Sequence, residues 1–90
     1  MKTKVYNMKS PNGNDVPNQF EIYTDDGVYF QSYRSIIAFK PCGGKTQLDE
    51  TYWDYSRTTN KYLNQFLRGS GKKEIEQKIK AGEYELANLN

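Results

Sequence analysis

The chain has 90 residues and a formal net charge of +2, with 13 basic and 11 acidic side chains, no histidine and one cysteine. A chain of this length forms one small domain that buries only about 60% of the surface of its unfolded state. Without histidine, Ser-His and Cys-His nucleophile pairs and zinc sites built from imidazole are excluded. We therefore predict no catalytic residue, no metal ligand and no cofactor.

The composition also predicts the compartment. The chain has no run of 18 apolar residues, and no apolar segment follows the N-terminal MKTKVYNMK. These features predict neither a membrane-spanning helix nor a secretory signal. Cys42 has no partner for an internal disulfide, which fits a reducing compartment. We expect a cytoplasmic protein with no membrane partner.

Residues 1–18 predict an N-terminal strand, around Lys4 to Met8, and then a mobile loop. The loop is SPNGNDVPN, Ser10 to Asn18, where two prolines and an Asn-Gly pair interrupt regular structure. From Gln19 onward, apolar and polar residues alternate on both sides of Asp25-Asp26-Gly27, which predicts a β-hairpin. Glycine in this turn supplies the positive φ that such a loop usually needs.

Residues 19–49 as a whole predict an antiparallel β-meander. Ser35 to Lys40 is rich in residues that favour strands, and Pro41 to Gly44 then reverses the chain into Lys45 to Leu48. With the N-terminal strand or a last strand over 83–88, the sheet has three to five strands. One of its faces must be covered by a later part of the chain.

Residues 56–82 predict two helices that cover this face. Ser56 or Asp54 caps the first helix, and the second runs from Lys72 to Ala81. The predicted fold is therefore a single α+β domain over residues 1–90, an antiparallel meander packed against two C-terminal helices. In the first helix the spacing i, i+3, i+4, i+7, i+8 marks one buried face: Thr59, Tyr62, Leu63, Phe66 and Leu67.

Positive charge is concentrated in the helical half. Arg57, Lys61, Asn64 and Arg68 are spaced so that they form one stripe on the outer face of the first helix, which we call the basic stripe. The stripe could contact phosphates or an acidic protein surface. The alternative is that it is only the polar outer face that any amphipathic helix presents to water.

Two further segments allow a functional and a structural interpretation. GSGKK, residues 69–73, lacks the phosphate-loop pattern, but its helix-start amides with two lysines could hold an anion, or the segment only connects the helices. The acidic residues Asp49, Glu50 and Asp54 surround the aromatic residues Tyr52, Trp53 and Tyr55. This group forms either a partner surface or only a helix-start cap with solvated acids. Acid–base chemistry by this acidic group is disfavoured, because so small a domain leaves little room for a substrate cleft. The predicted partner-binding residues are Trp53, Tyr55, Arg57, Lys61, Arg68, Lys72 and Lys73.

Four segments together resemble a family of small proteins of unknown function encoded in bacteriophage genomes: SYRSIIAFK, LDETYWDYSRTTNKYLNQFL, KKEIEQKIKAGEY and LANLN. The likeness spans residues 19–90 and leaves out the segment before Gln19. It implies a viral context and no particular reaction. Small phage proteins without catalytic residues commonly bind and block a host factor, including components of CRISPR-Cas and other defence systems.

Three hypotheses follow. The first is a non-enzymatic phage accessory protein that binds and inhibits a bacterial host protein, such as a CRISPR-Cas nuclease complex, in the host cytoplasm. The second is a small regulator that binds nucleic acid directly through the basic helical half. The third is a structural protein that self-associates through an exposed strand edge. The oligomeric state is left open by the sequence.

Overall fold

A computed structural model describes residues 3–69 and 71–90 and shows, within them, an α+β fold of six strands and two helices. The six strands of the described residues form one sheet in the order of the chain. The overall extents of 34 × 32 × 20 Å are those of one helical layer on one sheet. The elements are β1 Lys4–Lys9, β2 Asp15–Thr24, β3 Gly27–Ser32, β4 Ser35–Pro41, β5 Thr46–Asp49, α1 Arg57–Phe66, α2 Lys72–Lys80 and β6 Tyr84–Ala87.

The predicted hairpin between β2 and β3 is confirmed, and the structure gives a second reason for its glycine. Gly27 pairs with Thr24 on one side and with Pro41 on the other, so it lies between two neighbouring strands. Its φ of 147° is one that other residues rarely adopt. A Cβ atom there would lie 2.2 Å from the Lys40 carbonyl oxygen. Close approach of β4 therefore requires a residue without a side chain.

The predicted mobile loop over Ser10 to Asn18 is wrong in its second half. Residues 10–14 form the turn, but β2 begins at Asp15 and continues through Pro17. Proline has no N–H to donate to the neighbouring strand, and it therefore occurs in strands mainly at bulges, where the regular hydrogen bonding is already interrupted. The pairing of β1 with β2 shifts register near this point, and Asn18 has a φ of 65°. This break in the pairing accommodates Pro17 within β2, so the chain here is an irregular strand and not a loop.

The predicted antiparallel meander is also incomplete, because the sheet is mixed. Strands β1 to β5 pair antiparallel, whereas β6 pairs with β5 in parallel, with Leu48 opposite Leu86. A parallel neighbour requires a crossover connection, and residues 50–83, which contain both helices, supply it. The optional last strand over 83–88 thus exists as Tyr84–Ala87 and completes the sheet.

The core fills the sheet face that the helices cover. The ring of Phe30 on β3 stacks on that of Phe66 on α1, with 5.6 Å between centroids. All five residues of the predicted helix face are buried. Each side chain of this kind stabilises the fold by about 1.5–3 kcal/mol when it leaves water. The buried apolar residues are Met8, Phe30, Ile37, Ala38, Leu48, Tyr62, Leu63, Phe66, Leu67 and Ile75.

The two ends of α1 are capped differently. At its start the Ser56 hydroxyl accepts a hydrogen bond from the Thr59 amide, at 3.1 Å, as expected for an N-cap serine. At its end the Gly69 amide donates to the Asn64 carbonyl, at 2.8 Å, which closes a Schellman-type turn. The left-handed position in this turn, which glycine usually takes, is occupied by Arg68 with a φ of 61°.

Replacing Arg68 by glycine is expected to raise the free energy of unfolding by about 1 kcal/mol, because glycine adopts this φ without the strain that a Cβ introduces. Urea denaturation of the two proteins measures the difference. Lys61→Gly is the matched control, since glycine in a helix interior lowers stability by about 1 kcal/mol. A lower midpoint for Arg68→Gly would contradict the left-handed assignment.

Candidate functional site

The aromatic pair before α1 divides into a packed and an exposed residue. Trp53 is half-buried against the core, and its amide donates to the Asp49 carbonyl at 3.0 Å. Tyr55 is 61% exposed, with its ring edge-on to Tyr52 at 5.7 Å. Of the two residues for which the sequence left both roles open, Trp53 contributes to packing and Tyr55 remains accessible to a partner.

Tyr55 lies in the wall of a cleft of about 370 Å³ beside the start of α1. Binding sites for small ligands or single side-chain groups have volumes of about 300–1,000 Å³. The cleft is formed between the segment before α1, the β3–β4 turn and the middle of β2. We call it the tyrosine cleft. Its lining consists of Asn18, Ser32, Tyr33, Arg34, Ser35 and Tyr55.

The β3–β4 turn presents Tyr33 to this cleft in a strained conformation. Tyr33 has a φ of 56°, which costs roughly 1–2 kcal/mol for a residue with a Cβ. Its amide donates to the Asn18 carbonyl at 2.7 Å, and its carbonyl accepts from the Gln31 side chain at 2.7 Å. These bonds hold the turn, while the Tyr33 side chain stays 51% exposed. Strain of this kind often accompanies binding sites.

Behind the cleft, the interior is polar. The buried hydroxyls of Ser32 and Thr59 lie 2.9 Å apart, and Ser56 donates to Thr59 at 3.0 Å. Gln19, which pairs with Ser32 across the strands, is fully buried, and neither side-chain atom has a hydrogen-bond partner among the described residues. An unpaired buried amide costs about 1–3 kcal/mol. The cleft is therefore bordered by buried polar side chains from β2, β3 and α1.

The electrostatic surroundings of the cleft favour an acidic ligand. Arg34 lines it and is exposed, and α1 starts beside it with no acidic residue in its first turn. The nearest helix-start acid, Asp54, is already engaged by the Asn60 side chain and by Lys72, both at 2.9 Å. These two partners lower the pKa of Asp54, so it stays ionised and paired. Helix N-termini and guanidinium groups both attract negative charge.

The basic stripe is shorter than the sequence predicts. Arg57 and Lys61 are exposed on the outer face of α1, but α1 ends at Phe66, and Arg68 lies in the capping turn beyond it. Asn64 is half-buried, with no partner for its side-chain oxygen among the described residues. A left-handed residue after a helix no longer continues the helical spacing. Arg57, Lys61 and Asn64 keep the helical spacing within α1, but only the first two are exposed.

Arg68 instead lines a groove of about 360 Å³ at the other end of α1, together with Lys40 and Glu21. Lys40 donates to the Phe66 carbonyl, and its ammonium lies 4.3 Å from the Phe66 ring. Burial, and then the charge of Arg68, lowers the pKa of Lys40. The charge of Glu21 raises the pKa of Tyr23 at the same groove. The groove is thus lined by two basic residues and one acidic residue, and one of the basic residues, Lys40, is already engaged by the Phe66 carbonyl.

The two lysines at the start of α2 differ in availability. Lys72 pairs with Asp54, which raises the pKa of Lys72. Lys73 is exposed and forms no ion pair among the residues that the structure describes. Ser70 of the predicted GSGKK segment lies outside the described residues. Of the two lysines predicted to hold an anion, only Lys73 is therefore without an ion pair among the described residues. The N-cap residue of α2, Gly71, has no side chain and makes no side-chain hydrogen bond to the helix.

The three acids near Trp53 do not form a common site. Asp49 is 1% exposed and accepts hydrogen bonds from the amides of Thr51, Tyr52 and Leu89, at 2.9–3.0 Å. Burial alone would raise the pKa of Asp49, but these bonds, with one from the Asn90 side chain, bring it below its ordinary value. The interpretation of this group as solvated acids is wrong for Asp49, which is buried and joins residues 51–52 to the segment after β6.

Within residues 3–69 and 71–90, no three cysteine or acidic residues lie close enough to hold a metal ion. Neither helix in this part of the chain is long and apolar enough to cross a membrane. The fold and the cleft define a two-layer α+β domain with an accessible tyrosine- and arginine-lined cleft.

The family to which this domain belongs is defined over most of the chain. A family model matches residues 3–82, and the chain belongs to this family of unknown function, DUF8033. The match includes the segment before Gln19, which the resemblance had left out, and it ends before β6. No curated protein and no solved structure matches the chain.

Proposed function

We propose that this chain is a non-enzymatic binding protein whose tyrosine cleft receives an acidic segment of a bacterial protein and so blocks that protein. One observation carries the proposal: two exposed tyrosines and an arginine line a preformed cleft beside a helix N-terminus. Tyrosine and arginine are the residue types, with tryptophan, that dominate binding energy at protein interfaces.

The cleft would bind only the central side chains of such a partner, and the rest of the interface would lie on the surface around it. A cavity of about 370 Å³ holds one or two side chains of a partner. Arg34 can hold a carboxylate in a two-pronged arrangement, while the rings of Tyr33 and Tyr55 cover its stem. Arg57 and Lys61, exposed along α1, extend the positive surface beyond the cleft.

The resemblance to phage-encoded proteins supports the choice of partner. Phage proteins of this size commonly act by occupying a host protein, and a cytoplasmic defence complex such as a CRISPR-Cas nuclease is the partner class that we propose. Inhibition then follows from stoichiometric occupancy, and the chain needs no reaction of its own. Its effect should saturate at a fixed ratio of chain to target.

Arg34→Glu is expected to weaken partner binding roughly 10- to 100-fold, because it places a like charge against the acidic segment. The measurement is capture from bacterial lysates on the immobilised chain, followed by titration of the captured protein. Lys45→Glu is the matched control, since it makes the same charge change at an exposed turn away from the cleft. Capture of nothing by the wild type from several hosts, or equal binding by Arg34→Glu, would refute the proposal.

Direct nucleic-acid binding is the second candidate, favoured by a separate observation. Arg57 and Lys61 form no ion pair among the described residues and are free to contact phosphates. Such binding should weaken steeply with salt, because each neutralised phosphate releases counterions. Fluorescence anisotropy with labelled single- and double-stranded DNA at rising salt measures it. No binding at low salt would dismiss this candidate.

A further inference from the structure

The helices cover only one face of the sheet, and the opposite face is apolar. Cross-strand partners lie on the same face, so the pairing registers define its rows. The covered face contains Phe30, whose ring stacks on that of Phe66 in α1. Successive residues of a strand point to opposite faces, so the row that contains the neighbouring residue, Tyr29, lies on the other face. We call this other side the free face. Its central row consists of Val5, Ile22, Tyr29, Phe39, Gln47 and, at its end on β6, Glu85, and the next row of Asn7, Phe20, Gln31 and Ile36.

The apolar side chains of the free face form a cluster of their own. None of Phe20, Ile22, Tyr29, Ile36 and Phe39 belongs to the core or to the side chains that pack against it. Each is half-buried by its neighbours within the sheet. The rings of Tyr29 and Phe39 stack at 4.2 Å with an angle of 18° between their planes. Within the part of the chain that the structure describes, this second apolar layer is separate from the core that the helices cover.

The free face also carries little charge. Charged residues make up 27% of the chain, yet the ten residues of the two rows include one, Glu85, at the β6 end of the central row. At the margin, Lys9 and Asp15 form an ion pair. A sheet face that meets water normally carries polar and charged side chains on alternate positions. The scarcity of charge at the centre indicates a face that is covered in use.

We propose that the free face packs against the free face of a second copy, so that two sheets form a β-sandwich with the helices outside. A two-fold dimer brings the same surface together from both copies. For a chain with a net charge of +2, a face whose centre is uncharged allows this without burying like charges against each other there. An acidic or basic partner would find no complementary charge at the centre of this face.

The dimensions suit a modest dimer. Six strands at about 4.8 Å spacing and about six residues of length give a face of roughly 500 Å² per copy. Two copies then bury on the order of 1,000 Å², the lower bound for a specific interface. The stacked rings of Tyr29 and Phe39 lie in the central row, where the residues that dominate binding are usually found. We expect dissociation in roughly the micromolar range.

Sedimentation velocity of the purified chain, from about 1 to 500 µM on the scale of that affinity, tests the proposal. The wild type should change from its monomer mass of 10.5 kDa to twice that value as concentration rises. Phe39→Glu should raise the dissociation constant roughly 100-fold or more, because it buries two like charges at the centre. Val5→Glu, at a 59% exposed position of the same row, gives the same test with little risk to folding.

Tyr6→Glu is the matched control, because Tyr6 is 51% exposed on the same strand as Val5 but on the opposite face. It should leave the association unchanged. Mixing Phe39→Glu with Tyr29→Lys should restore dimers that neither variant forms alone. A wild type that stays monomeric at 500 µM overturns the proposal. So does a dimer that both glutamate variants on the free face leave intact, since strand edges would then hold it.

Discussion

Asp49→Asn is expected to lower the free energy of unfolding by about 3 kcal/mol, since hydrogen bonds to a buried charged group contribute about 1.5–3 kcal/mol each. The carboxylate accepts the amides of Thr51 and Tyr52 at one oxygen and that of Leu89 at the other. An asparagine side chain has only one acceptor oxygen, so its NH₂ group faces a backbone donor. The loss should loosen both the start of the crossover and the segment after β6.

The pH dependence gives an independent check on the same residue. Because the folded-state pKa of Asp49 is lowered, its contribution is present above the unfolded pKa and is lost as pH falls through the folded pKa. Urea titrations at pH 7 and at several values below about 4 should show this loss in the wild type and less of it in Asp49→Asn. Glu50→Gln, at an exposed neighbour, should change stability by less than about 0.5 kcal/mol. Equal stability of Asp49→Asn and the wild type at pH 7 would contradict the assigned role.

Gly27→Ala is expected to lower the free energy of unfolding by at least about 3 kcal/mol, because two unfavourable effects add. Alanine is strained at this positive φ, and its methyl group has no room beside β4. The new methyl group would lie 2.2 Å from the Lys40 carbonyl oxygen and 2.8 Å from atoms of Phe39 and Pro41. Two of these contacts are with backbone atoms, so β4 must move away from β3. That movement would break the ladder at the centre of the sheet.

Thermal and urea denaturation of Gly27→Ala measure this effect. Gly43→Ala is the matched control, because a Cβ at Gly43 meets no atom within 4 Å and its φ is not positive. Its stability should equal that of the wild type or slightly exceed it. If the midpoints of the two alanine variants coincide, β4 does not approach Gly27 as the structure places it.

Local features of the fold were predictable from the sequence. The turn at Asp25-Asp26-Gly27 and the buried face of α1 depend on residues within one hairpin or one helix, and both are confirmed. The start of β2 and the direction of β6 were not predictable, because strand pairing at a distance decides them. Arg68 does not lie on the predicted stripe, because α1 ends at Phe66 and the helical spacing of a sequence does not specify where the helix ends.

The candidate site was predicted in part. Tyr55 was identified because an aromatic residue beside a helix start stands out in the sequence. Tyr33 and Arg34 were missed, since no turn signature marks a tyrosine that adopts a positive φ. The free face was not predictable from the alternation in β2 and β3, because aromatic residues occupy both alternating positions, as Tyr29 and Phe30 show.

The parallel pairing of β5 with β6 also has a consequence for synthesis on the ribosome. The hairpins of β1 to β5 close between neighbours and can form within microseconds once they emerge. The partner of Thr46 in β6 is Tyr84, which is translated only after both helices. Until then the outer edge of β5 is open and can pair with another nascent chain. A chaperone that shields this edge should therefore raise the yield of native protein more than one that acts after release.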